Sequence, residues 1–527
     1  LNPTLNPMEK EFNVTGNCFP DRHYMADVSH KMVETLKLVE KGLYFIINRP
    51  RQYGKTTTLY AISHALRQKQ GYLVFNISFE GVGNDMFETE TAFAQGFVGI
   101  LADYAGYQAT HLEEWLNERI EKTNNLKQLS TLISQLVKKS TSKIVILIDE
   151  VDQSSNNEIF IKFLAMLRNK FLSRSEMPTF HSVVLAGVHD VKSLKMKIRP
   201  DSEQKYNSPW NIAADFKVDM NLHPHEIKPM LDEYIRERGV SMDSSTMSYG
   251  LFYYTSGYPF LVSRLCKIMD EELLPLKKER SWMVEDLEWA VKRLLKETNT
   301  NFETQIKNLQ NYPELYDAVY RVVIDNDIRL FNIHNPTTNL AVMYGLFVEK
   351  EGRIAIHNRI YAELIVNYMI DKMHSTQLPM AMDVGAGYRN DDRTLNMEAV
   401  LVGFQSFMKR EYSGKDRKFL ERHGRLVFLA FLKPIINGAG YDFKEPQISE
   451  EKRLDVVITY YEHKYIAELK LWRGPKLHEK GLVQLTNYLE SQQLSEGYLL
   501  IFDHAEVKKW ANEWIEAQGK RIFMIWV

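Results

Sequence analysis

The chain reads as an α/β protein: a parallel sheet with helices on both faces, followed by a second, smaller α/β domain. Three observations carry this. Apolar runs at 43–48 (LYFIIN), 72–79 (YLVFNISF), 144–148 (IVILI) and 182–187 (SVVLAG) alternate with segments of helical period. A second group of runs follows far downstream, at 454–460 (LDVVITY), 464–469 (KYIAEL) and 497–502 (GYLLIF). And 527 residues exceed what one hydrophobic core serves, so several domains are expected.

The region between the two groups is mainly helical. From His223 to Leu295 the apolar positions recur at helical spacing, as in HPHEIKPMLDEYIRER. Residues 312–370 carry short helices and then LFVEKEGRIAIHN, a small β-hairpin, so a winged-helix-like module is expected there. Residues 373–395 mix polar residues, Gly and Pro without a period and read as a linker. The expected division is therefore a core at 8–222, a helical lid at 223–300, the winged-helix-like module at 301–372, the linker, and a last domain at 396–527.

Composition narrows the function classes. A 44% hydrophobic and 25% charged share is that of an ordinary globular protein. The formal net charge is −2, so any surface for nucleic acid has to be a local patch. Cys18 and Cys266 are the only cysteines, which excludes a disulfide framework and a cysteine-based zinc cluster and fits a reducing compartment. No apolar run approaches the roughly 20 residues of a membrane span, and the opening residues lack the apolar core of a signal peptide. The expected location is the cytoplasm, with no membrane partner.

The first chemistry sits after the first strand. In Arg49–Pro50–Arg51–Gln52–Tyr53–Gly54–Lys55–Thr56–Thr57, a loop between strand and helix offers backbone N–H groups to phosphates. Lys55 would reach the β- and γ-phosphates of ATP, and the Thr56 hydroxyl would bind Mg²⁺. The first glycine of the usual GxxxxGK[ST] pattern is Arg49, which would remove a permissive φ at the loop entrance. About 90 residues on, the run 144–148 ends in Asp149–Glu150. There Asp149 would hold Mg²⁺ through water and Glu150 would polarise the attacking water, at the carboxyl edge where parallel sheets bind ligands.

The stretches FNVTGNCFPDRHYMAD, INRPRQYGKTTTLYAISHAL, LIDEVDQ, NSPWNIAADF and TSGYPFLVSRLC resemble bacterial AAA-like ATPases related to the STAND and archaeal ATPase groups. The resemblance covers roughly residues 10–370, and Arg49 is shared by relatives carrying RPRxxGK. It implies a sensor residue at the end of the fourth strand, for which His189 is the aligned position. It also implies a lid arginine, Arg264, and leaves Arg199 as an arginine-finger candidate. Such proteins often carry a C-terminal PD-(D/E)XK nuclease domain, and a homo-oligomer is compatible with the family.

The last domain offers a second chemistry. Asp455 opens one strand and Glu468–Leu469–Lys470 closes the next, with Glu468 and Lys470 two apart on one face. Two converging carboxylates can hold Mg²⁺ or Mn²⁺ to activate water, and the lysine offsets negative charge that develops on the phosphate. This resembles the D…ExK core of PD-(D/E)XK nucleases. Gln484 and Tyr488, at helical i, i+4 spacing, match the QxxxY element of the RecB-like branch. The acidic residue on that family's first helix corresponds to Glu421, with Glu445 the competitor. The basic stretch KREYSGKDRKFLERHGR (409–425) would contact phosphates. The reading that results is an ATPase controlling a metal-dependent nuclease that acts on nucleic acid, DNA in the first place, in defence or on mobile elements. The alternative is a nucleotide-switched DNA-binding protein whose nuclease fold is inactive.

Overall fold

The computed structural model describes residues 9–79, 81–151, 157–188, 210–324, 329–377, 387–411, 417–436, 440–443, 456–461, 463–472, 475–503 and 509–527. It divides into two compact units. The first holds residues 1–308, 332–348 and 357–361; the second holds 309–331, 349–356 and 362–527.

The first unit begins with helix α1 (Ser29–Glu40), strand β1 (Tyr44–Asn48), helix α2 (Lys55–Arg67) and strand β2 (Tyr72–Ser78). Helices α3 (Glu90–Gly106), α4 (Thr110–Asn117) and α5 (Leu126–Lys139) lead to β3 (Lys143–Asp149), α6 (Glu158–Leu172) and β4 (Ser182–Gly187). The sheet order is β1-β4-β3-β2 with every pairing parallel, and Ala214 adds an isolated parallel bridge to Phe45 outside β1. All four strands lie where the apolar runs predict them. Alternate residues explain why these runs are unbroken. Ile46, Phe75, Ile146 and Leu185 pack toward α3, α5 and α6, whereas Phe45, Val74, Val145 and Val184 pack with Leu59, Ile62 and Leu66 of α2. Both faces are covered, so no position along these strands can be polar without cost. Asn125 and Asn157 start α5 and α6 by accepting backbone N–H groups of the first turn.

Helices α7 (Pro224–Arg238), α8 (Ser244–Thr255), α9 (Pro259–Ile268) and α10 (Val284–Leu294) follow, as the helical periodicity of 223–295 predicts. Pro224 and Pro259 occupy first-turn positions, where a missing N–H costs nothing. Next in sequence come α11 (Thr300–Asn311), α12 (Pro313–Val323) and α13 (Pro336–Met343). Strands β5 (Phe347–Lys350) and β6 (Arg353–Ile356) pair as a two-stranded sheet. Glu351 and Gly352 between them sit at positive φ (52° and 75°), as a tight hairpin turn requires. The expected hairpin is present.

Helix α14 (Arg359–Gln377) runs five residues into the stretch read as a linker, because no Gly or Pro interrupts the sequence before Pro379. Beyond it, Arg389 and Leu395 form an antiparallel bridge, and Arg389 donates to the Ile435 carbonyl at 2.6 and 2.9 Å.

In the second unit, α15 (Met397–Glu411) and α16 (Arg417–Ile436) precede β7 (Gly440–Phe443), β8 (Val456–Tyr460) and β9 (His463–Leu471). Then come α17 (Pro475–Ser491), β10 (Glu496–Phe502), β11 (Asn512–Ala517) and β12 (Lys520–Trp526). The six strands form one mixed sheet in the order β11-β12-β10-β9-β8-β7. β8 is antiparallel to both its neighbours, β7 and β9, whereas β10 lies parallel to both β9 and β12. Val457, Ile466, Leu499, Ile501 and Met524 on one face pack with Leu485, Tyr488 and Leu489 of α17.

Candidate functional site: a phosphate loop and a buried carboxylate–lysine pair

The loop between β1 and α2 lies at the carboxyl edge of the parallel sheet. Arg49 N–H continues the β1–β4 ladder by donating to the Gly187 carbonyl. Gln52 and Gly54 then adopt left-handed backbones (φ 55° and 76°), and Gly54 serves as the N-cap of α2. This path leaves the loop amides and the start of α2 together, which is the geometry that receives phosphate. Lys55 is buried and its ammonium donates to the carbonyls of Arg49 (3.0 Å) and Pro50 (2.8 Å) across the loop.

Arg49 corrects an expectation. Its φ is not positive, so the position does not need glycine. Its guanidinium turns away from the loop, donating to the carbonyls of Asn48 (3.0 Å) and Val218 (2.9 Å), and lies 5.4 Å from the centre of the Phe216 ring. The side chain braces the segment beside β1.

Asp149 ends β3, is buried, and accepts the Glu150 N–H at 2.9 Å. Glu150 takes a left-handed backbone (φ 53°), a strained choice for a non-glycine residue, and this directs it into the cavity beside the loop. That cavity measures about 620 Å³ and is lined by Arg51–Thr58, Glu150, Lys31 and parts of α9 and α11. Its size suits a nucleotide. Asp149 and Arg264 are not among its walls.

Two contributions to the site come from outside the motifs. Asn13–Gly16, Cys18, Tyr24 and Met25 line the cavity, and Cys18 N–H donates to Thr57 Oγ1 at 3.3 Å, tying the N-terminal segment to the loop. The stretch FNVTGNCFPDRHYMAD carries the family resemblance, and that was the signal available. Tyr53 contributes more than the loop amide the sequence predicts: its side chain is buried and heavily engaged. The phenol donates to Asn221 Oδ1 and meets His357 Nε2 at 2.8 Å. Its ring packs edge-on against Tyr258 (4.6 Å between centres), whose own hydroxyl donates to the Arg51 carbonyl at 2.5 Å. Burial pushes the Tyr53 hydroxyl far above the usual phenol range and that of Tyr258 up to about 12, so both remain donors.

Arg264, the expected lid arginine, is held by Glu297 through two hydrogen bonds of 2.5 and 3.0 Å. Its neighbours Pro259, Phe260, Val262 and Ser263 reach the cavity; Arg264 faces the acidic pair Glu297 and Glu272 instead. His189 and Arg199 lie outside the described residues. One group of metal-capable side chains stands out among the described residues: His30, His225 and Glu226. Glu226 is fully buried against the Lys31 ammonium at 2.6 Å, so that carboxylate already has a cation.

In the second unit, Glu468 on β9 is fully buried, and Lys470, two residues on and on the same face, places its ammonium 2.6 Å from Glu468 Oε1. Lys470 also approaches Gln484 Oε1 of α17 at 3.4 Å, and Gly481 is so close that a Cβ there would lie 3.2 Å from Lys470 Cε. Tyr488, one turn after Gln484, is part of the apolar core under α17. Thus Glu468, Lys470 and Gln484 are brought together. Asp455 lies outside the described residues. It directly precedes Val456, which pairs with Ala467, the neighbour of Glu468. Glu445 also lies outside, and Glu421 belongs to α16 with its side chain outside the description.

A parallel sheet with this loop and carboxyl-edge acid pair defines a P-loop nucleotide-binding core. Residues 20–367 match the AAA-like domain family, and the chain belongs to it as an ATPase of the AAA-like type. Among solved structures it is similar to a Walker-type ATPase of Pyrococcus abyssi, at 13% identity over 67% of this chain and 99% of that one, with a TM-score of 0.48. It is similar also to the ORC2 protein of Aeropyrum pernix, at 12% identity over 68% and 96%, TM-score 0.39. The RuvB Holliday junction branch migration motor of Thermotoga maritima matches at 14% identity over 67% and 98%, TM-score 0.34. No curated protein matches the chain. No described helix is long and apolar enough to cross a membrane.

Proposed function

We propose that the chain binds and hydrolyses ATP and thereby controls a metal-dependent nuclease formed by residues 396–527, acting on nucleic acid, DNA in the first place. The observation that carries the nuclease half is the buried Glu468 carboxylate beside the Lys470 ammonium, with Gln484 of α17 at the same spot. A charged pair buried on a sheet face is costly to keep and seldom a device for stability. Beside Asp455, which the chain supplies one residue before β8, it makes a donor set of hard oxygens that suits Mg²⁺ or Mn²⁺. Glu421 or Glu445 would complete it. A bound divalent ion supplies an acidified water and charge neutralisation at phosphate. In this reading Glu468 and Asp455 hold the ion's position, Lys470 stabilises charge developing on the scissile phosphate, and Gln484 and Tyr488 orient α17 over it.

The donor set that would suit ATP with Mg²⁺ is the loop amides, the Lys55 ammonium and the Thr56 hydroxyl on the cavity wall, with Asp149, next to Glu150, holding the ion through water. Lys55 would release the loop carbonyls to meet the β- and γ-phosphates. Glu150, directed into the cavity, would polarise the water that attacks. The elements at 301–372, helices followed by the β5–β6 hairpin, are read as a winged-helix-like module that would grip DNA. The cytoplasm is the proposed location, and a homo-oligomer remains compatible with the family.

The test is incubation of supercoiled plasmid with Mg²⁺ or Mn²⁺, with and without ATP, for the wild type and for Glu468→Ala, Asp455→Ala and Lys55→Ala. Cleavage lost in both carboxylate variants, and altered by Lys55→Ala only in its ATP response, is the expected pattern. Intact plasmid in every lane together with retained DNA binding would replace the nuclease by a nucleotide-switched DNA-binding protein.

A further inference from the structure

The phosphate loop is held from behind as well as open in front. Gly345 (φ 73°) packs so tightly on Pro50 that a Cβ would come within 2.8 Å of the proline ring. Tyr258, at the N-cap of α9, donates to the Arg51 carbonyl and stacks edge-on against Tyr53. His357, the residue directly after β6, meets the Tyr53 hydroxyl. Tyr361 packs edge-on against Tyr258 (5.5 Å between centres) and donates to Asn301 Oδ1 at 2.7 Å, while Asn301 Nδ2 reaches back to the Tyr258 hydroxyl.

The direction of these bonds is fixed by what each atom can do. Asn221 Oδ1 only accepts, so the Tyr53 hydroxyl is its donor, and the Tyr53 oxygen must in turn accept from His357 Nε2–H. Asn358 confirms the tautomer. Its Oδ1 accepts the Tyr361 N–H at 2.8 Å, which turns its Nδ2 donor toward His357 Nδ1 at 3.3 Å. His357 is thus a neutral imidazole with its proton on Nε2, aimed at one side chain of the phosphate loop.

We propose that His357, acting through Tyr53, is a positioning residue for nucleotide binding. Residues 344–348 and 357–361 clamp the loop in its phosphate-ready shape, so that the state of these residues sets the affinity for a nucleoside triphosphate. The inference rests on the ATP-binding reading and adds to it a point of control. Tyr53 lies between the two left-handed residues Gln52 and Gly54, where the loop amides depend on the backbone staying in place. Anchoring the one side chain between them holds that path before a ligand arrives, and preorganisation of this kind raises affinity by lowering the ordering cost of binding.

The test is titration of a fluorescent ATP analogue into the full chain with Mg²⁺, alongside steady-state ATPase kinetics. The proteins are the wild type, Lys55→Ala, Tyr53→Phe, His357→Leu, His357→Gln and the Tyr53→Phe/His357→Leu double variant. Tyr53→Phe keeps the ring and loses both hydrogen bonds. Affinity is expected to fall about tenfold in Tyr53→Phe and in His357→Leu, or ~1.4 kcal/mol. The loss should be seen in KM more than in kcat. The Gln side chain retains an N–H donor and should recover most of the loss. The double variant should be no weaker than the worse single one, since both break the same bond. Affinities within twofold of wild type in both single variants, even with lowered thermal stability, would overturn the proposal, as would losses that multiply in the double variant or a glutamine that restores nothing. Wild-type protein that binds no more analogue than Lys55→Ala would sink the nucleotide reading itself, a different result from any of these.

Discussion

Replacing Lys470 by Met tests the second site without relying on turnover. The substitution keeps the length of the side chain and removes an ammonium 2.6 Å from a carboxylate that has no exposure to water. Breaking a buried pair from one side leaves an uncompensated charge and costs ~3–5 kcal/mol. The lysine side chain is a quarter exposed, so solvent screens part of the pair and the lower end applies, about 3 kcal/mol. For a unit of this size that corresponds to a fall of about 6–12 °C in the transition assigned to it. The double variant Glu468→Gln/Lys470→Met removes the stranded charge and should recover most of the loss. If the position is built for a divalent ion, Mn²⁺ should stabilise Lys470→Met more than wild type, because the ion takes the place of the missing cation. At a hundredfold excess over its Kd the gain is about 2.7 kcal/mol. Differential scanning calorimetry of the full chain, with and without Mn²⁺, measures all of this. A double variant as unstable as Lys470→Met would refute the electrostatic account, and an absent Mn²⁺ response would refute the metal account.

Lys55→Ala should abolish ATP binding, while Glu150→Gln should bind ATP with little change and lose turnover; isothermal titration and phosphate release separate the two. Arg264→Ala should lower thermal stability by about 1–3 kcal/mol by leaving the nearly buried Glu297 without its strongest partner, with ADP affinity unchanged. A selective loss of hydrolysis in that variant would instead support the lid role. Arg49→Gly restores the usual loop pattern but removes the brace on Val218, and should destabilise the first unit by about 1–2 kcal/mol in a denaturant titration without tightening ATP.

What could be read in advance follows from how locally each feature is encoded. The first sheet was legible because its strands are buried on both faces and so run apolar without interruption, as in IVILI. The edge strands of the second sheet were not. β11 (NEWIEA) is half exposed and half polar, and the Gln518–Gly519 turn into β12 lacks the Asn-Gly or Asp-Gly pair that marks a hairpin. The phosphate loop and the Glu468/Lys470 pair were legible because each is contiguous in sequence. The back of the loop was not, since Tyr258 bonds Arg51 across 207 residues and His357 bonds Tyr53 across 304.

Arg49 shows how a motif can mislead about its own departures. A glycine in a pattern suggests a backbone that only glycine adopts, so its replacement reads as damage to the loop. The left-handed positions are in fact Gln52 and Gly54, and position 49 only extends the β1–β4 ladder. A long cation is therefore free to leave the loop and fasten the neighbouring segment, over the Phe216 ring and onto the Val218 carbonyl. The next residues of that segment lead to Asn221, which accepts from Tyr53. The apparent defect at the front of the motif and the clamp at its back thus act on the same stretch of chain, 216–221, from opposite ends.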